Sequence, residues 1–310
     1  MQPHLPPGLL LAALLALPCQ LGAQRPAPTA GRTLTEVPGP ELWVSGYDSE
    51  ALHRFRAADG AQLPDLAGVP GAQSVHAGPD GLHYAVAEKV DRVLRYRGTR
   101  FLDVFVQDDP ATPQDEDGPL DGPTAAVFGP DGNLYVASFD NDRVLRYDGA
   151  TGAYLGPFVA PGSGNLDGPD AGMCFGPDGH LYVPSFFNHR VLRYDGATGA
   201  FLDRFLAPNA GGLRNPRMLL FRPSGELWVS SWGSNAVLAF DASGGFLRTL
   251  LTTTRPTGFA LGLHDGDLYV TSDQTDRVER FDLFTGTRIE VFAGSGAGID
   301  GGTYLYFFER

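Results

Sequence analysis

The chain has 310 residues, with 36 Asp and Glu against 23 Lys and Arg, and a formal net charge of −13. An acidic excess of that size argues against nucleic acid as a partner, because a phosphate backbone would be repelled rather than neutralised. Two cysteines, Cys19 and Cys174, are too few for a disulfide framework, and a single lysine, Lys89, leaves one residue for any Schiff-base chemistry.

Residues 1–23 read as a secretory signal. Residues 8–17 form an apolar run of about ten residues, too short to span a bilayer, and cleavage is expected after Ala23. The localisation implied is export: secreted, periplasmic or cell-surface. Removal of the signal takes Cys19 with it, so the exported form has no intramolecular disulfide. Residues 24–37 are rich in Pro, Ala, Gly and Thr and have little to bury, which predicts a flexible leader. No later stretch has the composition of a linker, so residues 38–310 are expected to form one domain.

Residues 176–205 set the pattern of that domain. Gly176-Pro177-Asp178-Gly179 is a turn, Leu181-Tyr182-Val183 is strand material, and Arg190-Val191-Leu192-Arg193-Tyr194 alternates polar and apolar residues. Asp195-Gly196-Ala197-Thr198-Gly199 then turns into a Phe-rich strand. The unit recurs almost unchanged at residues 78–96 and 129–152, and more weakly at 40–55, 223–241 and 265–282. The aromatic of each Leu-(Tyr/Trp)-Val falls at Trp43, Tyr84, Tyr135, Tyr182, Trp228 and Tyr269, spaced by 41, 51, 47, 46 and 41 residues. Four strands in that length make a propeller blade, and the predicted fold is an all-β, six-bladed β-propeller.

A strand precedes the turn in the complete copies, over residues 123–128, 170–175, 216–221 and 256–261, but none precedes residues 41–43. The chain ends instead on Ile299-Asp300-Gly301-Gly302-Thr303-Tyr304-Leu305-Tyr306-Phe307, which matches Leu120-Asp121-Gly122-Pro123-Thr124-Ala125-Ala126-Val127-Phe128. The C-terminal strand is therefore expected to be the innermost strand of the N-terminal blade, closing the ring.

The run Leu181-Tyr182-Val183-Pro184-Ser185 through Asn188-His189-Arg190-Val191-Leu192-Arg193-Tyr194-Asp195 resembles an NHL repeat. Residues 38–310 as a whole resemble six-bladed NHL-type propellers, including the streptogramin lyase group and, more distantly, the gluconolactonase group. The resemblance implies the fold; these propellers serve as enzymes, scaffolds and extracellular binding modules alike. It implies for a lyase a channel-facing His and a magnesium ion held by Glu. The Glu position falls on Gly46, Ala87, Ser138, Ser185, Ser231 and Ser272, none acidic. For a lactonase it implies calcium held by one Glu, one Asp and two Asn in the channel, and no such set is evident. No catalytic residue is assigned.

Propeller geometry places the Pro-Asp-Gly and Asp-Gly-Ala-Thr-Gly turns on the bottom face, and the loops after Leu-Tyr-Val-x-Ser and between blades on the top. The bottom turns are nearly invariant from blade to blade, whereas the top loops vary, so function is sought on top. Four blades carry an aromatic after the Ser-like position, Tyr47, Phe139, Phe186 and Trp232, with Phe187 beside one of them. These either fill gaps between blades or form a rim that stacks on sugars or holds a cationic peptide. Residues 108–117 carry five carboxylates in ten positions, a solvated loop or a calcium site. Asp121, Asp167 and Asp300 recur before innermost strands and are expected to cap their own turns. Thr124, Asp170, Arg217 and Thr257 are expected to line the channel, with Arg217 opposite Asp170 as an ion pair that neutralises charge or binds substrate. No metal ligands are assigned; calcium or magnesium is the cofactor class that the carboxylates leave open.

The function expected is a non-catalytic ligand- or protein-binding module acting through its top face on an extracellular protein, peptide or glycan. The alternative is a metal-dependent lyase or lactonase, and a spacer or assembly platform is a third reading. A monomer without a membrane span is expected.

Overall fold

The computed structural model describes residues 39–107 and 120–308; the expected signal at 1–23, the expected leader at 24–37 and the acidic stretch at 108–117 lie outside them. The described chain is a six-bladed β-propeller of six four-stranded antiparallel sheets. From innermost to outermost strand, blade I is Gly302–Phe308, Glu41–Gly46, Ala51–Arg56 and Gln62–Ala67, and blade II is Ala72–Ala77, His83–Ala87, Arg92–Arg97 and Arg100–Gln107. Blade III is Pro123–Phe128, Leu134–Ser138, Arg143–Tyr147 and Tyr154–Val159; blade IV is Cys174–Phe175, Leu181–Ser185, Arg190–Tyr194 and Phe201–Leu206. Blade V is Pro216–Phe221, Leu227–Ser231, Ala236–Phe240 and Phe246–Thr252, and blade VI is Pro256–Leu261, Leu268–Ser272, Arg277–Phe281 and Arg288–Ala293. The C-terminal strand pairs with Glu41–Gly46, from Phe308 opposite Glu41 to Gly302 opposite Gly46, so the ring closes through the two ends of the chain. Among the described residues no helix is long and apolar enough to cross a membrane.

The repeated residues explain how blades pack. The hydroxyls of Tyr84, Tyr135, Tyr182 and Tyr269 donate to Asp80, Asp131, Asp178 and Asp265 in the turns four residues earlier, at 2.8–2.9 Å. Trp43 and Trp228 use Glu41 and Glu226 in the same way. Each of the four tyrosine rings then meets a Phe at the end of the next blade's innermost strand edge-on: Tyr84 with Phe128, Tyr135 with Phe175, Tyr182 with Phe221 and Tyr269 with Phe307. The polar tip is satisfied by its own turn while the ring fills the seam between sheets, the use to which a buried Tyr is suited.

Adjacent blades are hydrogen-bonded near the axis at every junction around the ring. Thr303 Oγ1 donates to the Ala72 carbonyl (2.8 Å), Ser74 Oγ to that of Thr124 (2.8 Å) and Thr124 Oγ1 to that of Pro169 (2.7 Å). The Gly172 amide donates to the Arg217 carbonyl (3.0 Å), Ser230 Oγ to that of Thr257 (2.7 Å), and Thr257 Oγ1 to that of Gly302 (2.7 Å). Blade IV departs from the continuous innermost strand expected over 170–175. Only Cys174–Phe175 and a bridge from Pro169 to Ser185 pair with the next strand. In between, Asp170 to Met173 make a turn in which the Met173 amide donates to the Asp170 carbonyl (3.1 Å). The reason is proximity to blade V: a Cβ on Gly172 would overlap the main chain of Arg217, Met218 and Leu219. Cys174 is buried in the apolar cluster between blades IV and V, as core packing requires.

Candidate functional site at the top mouth of the channel

The second strand of each blade ends on the Ser-like position, and the next residue is the one that overhangs the channel. In five blades its amide donates back to the residue just before the innermost strand: Tyr47 to Gly301, Glu88 to Gly71, Phe139 to Gly122, Phe186 to Gly168 and Trp232 to Asn215, at 2.9–3.2 Å. That bond turns the chain across the mouth at one register, so the equivalent residues Tyr47, Glu88, Phe139, Phe186, Trp232 and Asp273 form its rim. Sequence reasoning named the four aromatics and missed the two acids. The signal was present, since Glu88 and Asp273 stand in the same place of the repeat.

The aromatics do not form an even ring. Phe139, Phe187, Phe186 and Trp232 make one contiguous arc over blades III to V, with ring centroids 5.2–6.2 Å apart. Gly168, at φ +65°, lies beneath it, and a Cβ there would come within 3.0 Å of both Phe139 and Phe187. Phe187 is 54% exposed at the surface of the arc. Tyr47 stands apart, with the Lys89 ammonium 4.8 Å over its ring, while Arg255 lies 4.4 Å over the Trp232 ring.

One residue per blade below the rim gives a second set at a shared register: Gln73, Thr124, Asp170, Arg217, Thr257 and Thr303. Thr124, Thr257 and Thr303 are fully buried and spend their hydroxyls on the inter-blade links. Gln73, Asp170 and Arg217 instead meet inside the channel. Arg217 Nε donates to Asp170 Oδ2 (2.9 Å), its Nη2 reaches Gln73 Oε1 (3.5 Å), and its Nη1 lies 3.6 Å from Asp273 Oδ2. Gln73 Nε2 donates to Glu88 Oε2, Tyr47 Oη donates to Glu88 Oε1 (3.4 Å), and Trp232 Nε1 donates to Asp273 Oδ2 (2.8 Å). Rim and channel are thus one polar network around Arg217, opening into a cavity of about 340 Å³. Gln73, Thr303, Glu88, Asp273 and Arg255 all escaped the sequence reading.

Burial pushes the Glu88 carboxyl up to about 7 and, with the nearby Asp170 and Asp140 charges, outweighs the hydrogen bond from Gln73. His76, on the innermost strand of blade II, packs beside Tyr304 of blade I, with ring centroids 4.9 Å apart, and burial lowers its pKa to about 4. The remaining histidines lie elsewhere: His83 is fully buried in the second strand of blade II, and His53 faces Asp65 at 3.1 Å.

The turns before the innermost strands are capped differently from the expectation for Asp121, Asp167 and Asp300. Their main chains carry the local bonds: the amides of Asp121 and Asp167 donate to Ser138 and Ser185, and the Asp300 carbonyl accepts from Asp48 and Ser49. The capping side chains come from the preceding blade. Asp91, Asp142 and Asp276 accept from the amides of Gly122, Gly168 and Gly301, His189 Nδ1 from Asn215 and Asn235 from Arg255, at 2.8–3.1 Å. All five acceptors sit at positive φ, which short polar side chains tolerate in such turns.

The mouth does not suit a divalent ion. Asp170 is taken by Arg217, Asp273 by Trp232 and Arg217, and Glu88 by Gln73 and Tyr47. Among the described residues no three His, Cys, Asp or Glu are grouped to hold a metal.

Solved structures with this ring of six sheets include the propeller of a nidogen/laminin complex. It has a TM-score of 0.68 and 16% identity, covering 87% of this chain and 98% of that one. Virginiamycin B lyase from Staphylococcus aureus follows, with a TM-score of 0.60, 15% identity and coverage of 89% and 93%. A protein of unknown function from Bacteroides caccae has a TM-score of 0.66, 14% identity and coverage of 88% and 100%. The shared property is the fold. No protein-family model and no curated protein sequence matches the chain.

Proposed function

We propose that this chain is an exported NHL-type propeller that binds an extracellular ligand or protein through its top face without catalysing a reaction. The observation that carries the reading is the contiguous arc of Phe139, Phe187, Phe186 and Trp232 beside the polar mouth. An aromatic platform next to convergent hydrogen-bonding groups is a recognition surface for sugars or peptides. The likeness to the nidogen propeller, found in complex with laminin, supports a protein partner. The test is the double variant Phe186→Ala/Trp232→Ala screened against glycan and peptide arrays. The expected result is a retained fold with lost binding; unchanged binding would reduce the arc to packing.

A second reading, a lyase or lactonase, is favoured by one observation. Glu88 sits in the mouth with its pKa raised to about 7, which suits a general base at neutral pH. It predicts turnover of lactones or cyclic esters that is abolished in Glu88→Gln; absence of turnover by the unaltered protein leaves Glu88 a structural acid.

A further inference from the structure

Between its second and third strands each blade crosses the top face on four residues, and these rows align: 47–50, 88–91, 139–142 and 186–189 in blades I to IV. At the junction of blades I and II they hold a lysine. Lys89, second in its row, reaches back to blade I. Its ammonium lies 4.8 Å over the Tyr47 ring, 3.2 Å from Glu50 Oε1 and 4.0 Å from Asp48 Oδ1. Its stem covers Gly71, where a Cβ would come within 2.8 Å of the Lys89 Cγ. One aromatic face and two carboxylates thus share one cation.

The junction of blades III and IV has the same parts without the cation. Phe139 stands where Tyr47 does, Asp140 where Asp48 does and Asp142 where Glu50 does, but the place of Lys89 is taken by Phe187. The Phe187 ring covers Gly168 as the Lys89 stem covers Gly71, and it packs on Phe139 with centroids 5.4 Å apart. It replaces the stem and brings no ammonium. Among the described residues neither Asp140 nor Asp142 has an ion-pair partner. Burial, reinforced by the charges of Asp121 and Asp142, raises the Asp140 carboxyl above the ordinary carboxylate range, and burial with the Asp142 charge raises that of Asp167. No positive charge enters either balance. Arg217 is engaged by Asp170 inside the channel, and Arg255 lies over Trp232 at the far end of the arc. Asp140 and Phe187 are both exposed, so a partner can touch them.

We propose that this junction docks a basic segment of a protein partner, whose lysine or arginine lies over Phe139 and Phe187 and pairs with Asp140 and Asp142, as Lys89 pairs within the chain. The assignment rests on the binding-module reading and names its partner class. Lys89 is the chain's own example of the filled site. An apolar side chain beside the basic one lies along Phe186 and Trp232, the continuation of the same arc. A ligand without positive charge leaves the grouped carboxylates unpaired and gains only the ring contacts.

Fluorescence anisotropy of the full chain with a labelled peptide of alternating lysine, glycine and leucine tests it, with counterparts carrying glutamate or norleucine in place of lysine. The lysine peptide is expected to bind about tenfold or more tighter than either counterpart. Asp140→Asn, at an exposed carboxylate, is expected to weaken it by about threefold. Phe187→Lys copies the Lys89 arrangement, supplies the cation from within the chain and is expected to weaken the peptide by about tenfold with an unchanged melting midpoint. Asp48→Asn removes an equal charge at the equivalent position beside Lys89 and is expected to leave binding unchanged. The proposal is overturned if the lysine peptide binds no better than the norleucine one, or if Phe187→Lys binds unchanged. Equal weakening by Asp140→Asn and Asp48→Asn would also overturn it, since attraction to net charge alone would explain both. Calcium binding lost in Asp140→Asn, with no peptide bound, would replace the docking point by a metal site. Glycan or acidic-peptide binding lost in Phe186→Ala/Trp232→Ala, with no lysine peptide bound, would sink the basic-segment assignment and leave the binding module. Lysine-peptide binding that is lost in Phe187→Lys but indifferent to that double variant would do the reverse.

Discussion

Arg217 Nε donates to Asp170 Oδ2 at 2.9 Å across the junction of blades IV and V, and the two partners are not equally buried: Asp170 has a side-chain exposure of 2% and Arg217 of 12%. Removing one partner of a buried pair costs what the stranded charge cannot recover from solvent. Arg217→Gln strands Asp170 in the wall and is expected to lower stability by about 3–5 kcal/mol. Asp170→Asn is expected to cost less, because Arg217 reaches the cavity and keeps Asp273 at 3.6 Å. Denaturant midpoints of the two variants decide it; equal losses, or the reverse order, contradict the asymmetry.

Glu88 makes the mouth sensitive to pH. Its folded pKa of about 7 lies above the ordinary carboxyl value of 4.5, so between these limits the native state holds the proton more tightly than the unfolded chain. Stability from this group is full below about pH 4.5 and is lost as pH rises through about 7, a contribution on the order of 3 kcal/mol. Glu88→Gln is expected to match the unaltered protein at pH 4 and to exceed it at pH 8. Parallel stability curves for the two proteins across that range would refute the assignment.

Gly172 allows blade IV to approach the main chain of blade V. Gly172→Ala forces a methyl group against main-chain atoms that have no rotamer to yield and is expected to cost about 1–3 kcal/mol or more. Gly296→Ala, where nothing lies within 4 Å of a Cβ, is expected to stay within about 0.5 kcal/mol. Thermal melts of both compare the two sites directly, and a neutral Gly172→Ala would show that the junction can relax.

Closure depends on the last strand. Deleting residues 302–310 removes the partner of Glu41–Gly46, the Thr303 link to Ala72 and the Phe307 ring against Tyr269. The truncated chain is expected to lose its cooperative melt, because a ring opened at one junction exposes edges at both sides of the gap. A melt within a few degrees of the full chain would mean that blade I closes without it.

Much of the fold was legible in the residues, and the reason is that its determinants are local. The turn glycines, the period-two strands and the recurrence of Leu-(Tyr/Trp)-Val each act over a few residues, and the match of residues 299–307 to 120–128 showed where the ring would close. The mouth was legible only in part. Asp170 and Arg217 stood out as opposite charges at one strand position, but Gln73 occupies that register in a strand that was not aligned with the others, and the match of Thr303 to Thr124 was used only to place the closing strand. Glu88 was passed over because an acid was sought one residue earlier, at the position of Ala87.

By itself, then, the sequence determined the blade, the number of blades and the strand that completes the first, since each follows from backbone geometry repeated along the chain. Only the tertiary structure decided which members of each six-fold set work together. It split the channel set into three hydroxyls spent on inter-blade links and three side chains joined in one network. It also gathered the aromatics of blades III to V into an arc, apart from Tyr47. Arg217 and Gln73 are 144 positions apart, and their contact exists because ring closure brings every blade's innermost strand to one axis. Which side chains reach across that axis depends on their lengths and charges as a set, a property that no single repeat contains.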